Sequence, residues 1–101
     1  MIIYSVTCSV EQSICEEWLD WMQNEHIPEV MNTKIFTKSS FCEVLTSVSG
    51  EENKSFNIQY EVESMELLHK YNTQFAPALK QKTMEKYGEK CLAFRTLLRK
   101  M

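Results

Sequence analysis

The chain has two glycines and two prolines in 101 residues. That scarcity leaves no room for a flexible linker and argues for one domain spanning 1–101. Long hydrophobic runs are missing too, so no segment reads as a transmembrane helix. Met1-Ile2-Ile3-Tyr4 lacks the basic start and apolar stretch of a signal peptide, so the expected location is cytoplasmic. Only two histidines occur, and the four cysteines (Cys8, Cys15, Cys42, Cys91) form neither a C-x-x-C pair nor a disulfide framework. They read as reduced, small hydrophobes, and no metal site is expected. There is no G-x-G-x-x-G, no P-loop and no G-x-S-x-G, so neither a nucleotide cofactor nor serine hydrolysis has support, and no cofactor is expected. A net charge of −3 speaks against a partner that tracks phosphates. Seven of the eleven basic residues do lie between Lys80 and Lys100. RNA-recognition modules, however, need a glycine-bearing aromatic pattern that Lys54-Ser55-Phe56-Asn57-Ile58-Gln59-Tyr60 does not have. No nucleic-acid and no membrane partner is expected.

What the chain does have is clean periodicity. Ile2, Tyr4, Val6, Cys8 and Val10 alternate with Ile3, Ser5, Thr7 and Ser9, which predicts a first strand with one apolar face over residues 1–10. Ser13 and Glu16 have capping-box spacing, and Ile14, Trp18, Trp21, Met22 and Glu25 then recur at helical intervals. Pro28 disfavours helix at Ile27, so this helix is expected to end or kink near His26, with a short new turn after it. Ile35 to Val48 reads as a long second strand and 49–53 as a turn. Phe56, Ile58, Tyr60 and Val62 mark the inner face of a third strand. Ser64 should cap a second helix with Leu68, Tyr71 and Phe75 inward. Pro77 interrupts that helix, a further segment runs to Tyr87, Gly88 stops it, and Cys91 to Leu98 forms the last strand.

The order β-α-β-β-α-β, with right-handed crossovers, predicts an α+β ferredoxin-like sandwich of four antiparallel strands with the helices on one face. The helices can cover only one side of such a sheet. The opposite side offers Ile3, Ser5, Thr7, Asn57, Gln59 and Glu61, with either Arg95 and Leu97 or their neighbours from strand four. We expect it to pack on a second copy, a homodimer with Ile3, Leu97 and one of Phe41 or Leu45 as anchors. A solvated face is the competing reading.

The candidate catalytic residues are Glu25 and His26. A carboxylate on an apolar stripe should be paired or wet, and an imidazole at a helix end is suited to acid–base work. The plain alternative is a helix end with both side chains in water. The candidate ligand-binding residues are Tyr4, Trp18, Trp21, Met22 and Tyr60, which would wall a pocket between helices and sheet or, equally, fill a core.

Met1-Ile2-Ile3-Tyr4, Trp18-Leu19-Asp20-Trp21-Met22, Glu25-His26-Ile27-Pro28-Glu29-Val30-Met31, Ala76-Pro77-Ala78-Leu79 and Ala93-Phe94-Arg95-Thr96-Leu97-Leu98 together resemble an uncharacterised domain-of-unknown-function family of short bacterial proteins, family 4286. The match covers nearly the whole chain. Where Thr33-Lys34-Ile35-Phe36 stands, that family commonly has a Thr-Gly turn, so the tightness of this loop comes into question. The resemblance implies a fold similar to the dimeric α+β barrel proteins, a group that spans cofactor-free monooxygenases, isomerases and plain ligand binders, and it implies no particular reaction. Three functional readings follow: a small-molecule binder with a pocket between helices and sheet, a non-catalytic dimeric interaction or regulatory module, and a cofactor-independent oxygenase or isomerase. No residue set commits to catalysis, so the sequence leaves the enzyme question open.

Overall fold

The computed structural model describes residues 1–46 and 53–101. Strands β1 (Ile2–Glu11), β2 (Lys38–Glu43), β3 (Asn53–Val62) and β4 (Cys91–Arg99) form one antiparallel sheet in the order β2-β3-β1-β4. Helices α1 (Cys15–Trp21), α2 (Ile27–Met31), α3 (Met65–Gln74) and α4 (Ala76–Tyr87) pack on one side of it. This is the expected four-stranded ferredoxin-like arrangement. Alternation in β1 and β3 explains the layer: Ile2, Tyr4, Cys8 and Val10 lie buried beside Phe56, Ile58, Tyr60 and Val62. Trp18 from α1 drops between Phe41 and Phe56, with ring centroids at 5.9 and 5.2 Å. Leu68 and Tyr71 of α3 complete the inner face, and Phe75 packs against its margin.

Four local expectations need correction. Ser13 and Glu16 form no capping box. Residues Gln12–Ile14 make a 3-10 turn first, α1 starts at Cys15 without a side-chain cap, and the Ser13 hydroxyl donates to the Glu11 carboxylate at 3.4 Å. Of the end or kink expected near His26, the disturbance is there and the short helix follows it, but the helix does not end. Met22–His26 form a π turn in which the Ile27 N–H bonds the Met22 carbonyl, and α2 continues from it with Pro28 in its first turn. Proline has no N–H to offer Asn24 and its ring crowds that carbonyl, so the helix widens by one residue instead of breaking. The second strand is shorter than Ile35–Val48. Ile35 and Phe36 instead enter the core, where Phe36 meets Tyr4, Tyr60 and Tyr71, and pairing starts at Lys38. The end of that expected strand and most of the 49–53 turn fall outside the described residues, while Asn53 already belongs to β3.

Finally, the register resolves which residues of β4 face where. Tyr4 pairs with Leu97 and Val6 with Arg95, so Leu97 and Arg95 share the helix-side face. The free face carries Leu92, Phe94, Thr96 and Leu98 opposite Ser9, Thr7, Ser5 and Ile3. Leu97 and Phe41 therefore cannot anchor a partner on the free face, since Phe41 is held by Trp18. Leu45 lies beyond the end of β2, exposed.

In the second half the sequence pattern and the structure agree. The Ser64 hydroxyl accepts the Leu67 N–H at 3.2 Å, capping α3. The chain turns at Phe75, α4 begins with Pro77 in its first turn, and Gly88 ends it at φ 56°.

Candidate functional site

The helices leave β4 largely bare. Toward them, beside Val6 and Cys8, it offers Arg95 and Ala93, and both are exposed. The resulting gap between the β1/β4 half of the sheet, the first helical segment and α4 is a cavity of about 310 Å³. Ligand sites for small molecules occupy roughly 300–1,000 Å³, so this one lies at the small end. Its floor is Tyr4, Val6, Cys8, Ile58 and Tyr60, its back wall is Trp18, Met22 and Val30, and Leu79 and Thr83 of α4 close the far side.

Of the residues singled out in the sequence, Tyr4, Trp18, Met22, Tyr60 and His26 all line this cavity. Trp21 does not. It is buried between His26, stacked at 4.9 Å, and Tyr87, edge-on at 5.5 Å. Glu25 does not either, and it is exposed. The π turn is the cause. An ordinary helix places residue 25 above residues 21 and 22, whereas one extra residue per turn shifts the inward position to 26. His26 then stacks on Trp21, five residues earlier, and Glu25 rotates into solvent.

Several lining residues were not anticipated. Arg95 reaches across from β4 and its Nε donates to the Tyr4 hydroxyl at 2.9 Å. That bond uses the Tyr4 oxygen as acceptor, so the phenolic proton stays available, as do the guanidinium's terminal nitrogens. Lys80 and Tyr71 complete the wall around this pair. The signal for Arg95 was present in the alternation of Ala93-Phe94-Arg95-Thr96-Leu97: once the register is known, it is the charged residue among helix-facing positions.

The electrostatics of the wall are one-sided. His26, Lys80 and Arg95 line the cavity, and among the described residues no Asp or Glu does. Burial holds the His26 imidazole below its ordinary range; Arg95 and Lys82 push the same way, against the pull of Glu29. Glu29 is itself engaged by Lys82 at 2.8 Å. Desolvation, then the Arg95 charge, lowers Lys80. Burial first, then neighbouring phenols (Tyr71 and Tyr4 for Tyr60, Tyr4 for Tyr71), raises the Tyr60 and Tyr71 phenols, with Arg95 pulling Tyr71 the other way. Deeper in, Cys8 and Cys91 sit side by side. Contact with Cys91 and then burial drive the Cys8 thiol far up, while the Cys8 thiol, Trp18 and Arg95 favour thiolate at Cys91 against its own desolvation. The indole N–H of Trp18, on a residue with no exposed surface, meets no acceptor at hydrogen-bonding geometry despite this influence on Cys91. Among the described residues no three His, Cys, Asp or Glu side chains cluster as metal ligands.

The chain matches, over residues 1–101, the family described as domain of unknown function DUF4286, and it belongs to that family. It is similar in structure to an ethyl tert-butyl ether D (EthD) family protein from Bacillus halodurans, at 15% identity and a TM-score of 0.69 over 100% of both chains. It is also similar to a dimeric ferredoxin-like protein from an uncultured marine organism, at 13% identity and a TM-score of 0.55, over 96% of this chain and 92% of that one. At these identities the likeness is one of fold. No curated protein matches the sequence. No helix among the described residues is long and apolar enough to cross a membrane.

Proposed function

We propose that this member of the family is a small-molecule binding protein that takes its ligand into the cavity between helices and sheet, with Tyr4, Trp18, Met22 and Tyr60 as contact surface. The observation that carries this reading is the cavity itself: five of the seven residues singled out from sequence converge on one apolar, aromatic hollow with a few polar groups, the usual composition of a ligand site. Four free cysteines fit a reducing, cytoplasmic setting. The protein works as a homodimer in this reading, with Phe94, Leu92, Leu98 and Ile3 of the free sheet face covered by a second copy. Phe94 is 63% and Leu92 58% exposed in the single chain, and the similar marine protein is described as dimeric.

The test is a fragment screen by saturation-transfer NMR, comparing the wild type with Ala93→Trp. Ala93 is exposed and lines the cavity, so an indole there blocks the hollow without disturbing the core. Binding fragments should be lost in the variant. A wild type that binds none of them, or a variant that binds the same set equally well, defeats the proposal. An enzymatic alternative draws on one observation, a largely neutral His26 facing the cavity beside protonated tyrosines. In that case His26→Phe keeps ligand binding and loses turnover.

A further inference from the structure

The cavity's charge does not match the chain's. A protein of net charge −3 places Lys80 and Arg95 on one small hollow, and among the described residues no carboxylate lines it. Two cationic side chains at the mouth of one hollow favour an anionic group between them. Arg95 is held for such a role. Its Nε is fixed on the Tyr4 hydroxyl at 2.9 Å, which leaves its terminal nitrogens and the Tyr4 proton as donors. Among the described residues none of the ion pairs involves Arg95, Lys80 or His26. A fork of guanidinium nitrogens matches the paired oxygens of a carboxylate in geometry as well as charge.

Beyond this polar rim the wall is apolar and aromatic: Trp18, Met22, Val30, Ile58 and Leu79. The volume sets the size. About 310 Å³ is at the small end of small-molecule sites, so the occupant is small.

Taking the binding role proposed above as given, we infer that the ligand is a small hydrophobic carboxylic acid, its carboxylate at Arg95, Tyr4 and Lys80 and its apolar body against Val6, Leu79 and Met84. A phenyl ring or a short alkyl chain meets the size requirement. The orientation follows from the lining: the charged head takes the side where Arg95 and Lys80 stand exposed, and the body takes the accessible apolar surface of Val6, Leu79 and Met84.

The experiment compares acids with their own amides. Phenylacetate and octanoate, each beside phenylacetamide and octanamide, are titrated into the wild type and into Arg95→Gln by calorimetry, with circular dichroism confirming that the variant folds. A charge-assisted hydrogen bond is worth about 1.5–3 kcal/mol, so each acid should bind about 10- to 100-fold more tightly than its amide, and in Arg95→Gln acid and amide should bind nearly alike. Acid and amide of equal affinity overturn the carboxylate assignment and leave the pocket standing. If no acid and no amide binds the wild type, the cavity reading falls as well. An acid preference that survives in Arg95→Gln removes Arg95 from the assignment and overturns it.

Discussion

Lys34 carries the sharpest stability prediction. The backbone there adopts φ 66°, the only positive φ of a non-glycine residue among the described residues. The conformation is imposed from both sides. The Lys34 N–H closes on the Met31 carbonyl at 3.2 Å, the Thr33 hydroxyl donates to the Val30 carbonyl at 2.7 Å, and the Ile35 N–H donates to the Thr33 oxygen at 3.3 Å. Ile35 and Phe36 must then enter the core directly, so the turn cannot relax. The doubt about this loop is thereby answered: it stays tight, and lysine bears the strain. A left-handed conformation costs an L-residue roughly 1–2 kcal/mol, and glycine's extra backbone freedom in the unfolded chain returns roughly 0.5–1 kcal/mol of that. Lys34→Gly should therefore stabilise the protein by about 0.5–1 kcal/mol, a rise in Tm of about 2–8 °C for a domain of this size. The Lys34 side chain is exposed, so Lys34→Ala, which keeps the strain, should stay within about 0.5 kcal/mol of wild type. Urea and thermal unfolding of the three proteins at one pH measure both differences. A Lys34→Gly no more stable than Lys34→Ala refutes the argument.

Two further outcomes are expected. Because burial depresses His26 in the folded state, with Glu29, Arg95 and Lys82 as the charges facing it, its contribution is fully present above the unfolded-state value near 6.5 and is lost as pH falls through the lower, folded one. Wild-type stability relative to His26→Phe, which keeps the stack on Trp21, should drop between pH 7 and pH 5, and parallel pH profiles sink that account. Phe94→Asp on the free face should turn a dimer into a folded monomer in analytical ultracentrifugation at micromolar concentration, and a wild type that sediments only as monomer ends the proposed self-association.

The sheet was legible in the sequence because β1 and β3 alternate without interruption and their inner residues share one environment. The Ser64 cap and the Gly88 stop were legible for the same reason, since each is decided by a few neighbouring residues. What escaped was set at longer range. Whether Arg95 or Phe94 faces the helices depends on a register between β1 and β4, at opposite ends of the chain. Pro28 gave the right place for a disturbance, but whether a helix breaks or widens depends on what Trp21, Tyr87 and the sheet hold in position. That one ambiguity misassigned Glu25. Ser13 showed the opposite failure, a correct local pattern overridden by a tight turn that leads into α1.

The widened turn also makes the cavity's chemistry depend on pitch. Straightening Met22–His26 to ordinary pitch with no residue removed turns every later side chain by about 100° and brings Glu25 to the inward position. The same stretch of chain can thus present an imidazole or a carboxylate to the hollow with its sequence unchanged. Excising one residue between Met22 and His26 does the opposite: the lost residue and the lost bulge cancel, and His26 keeps its face.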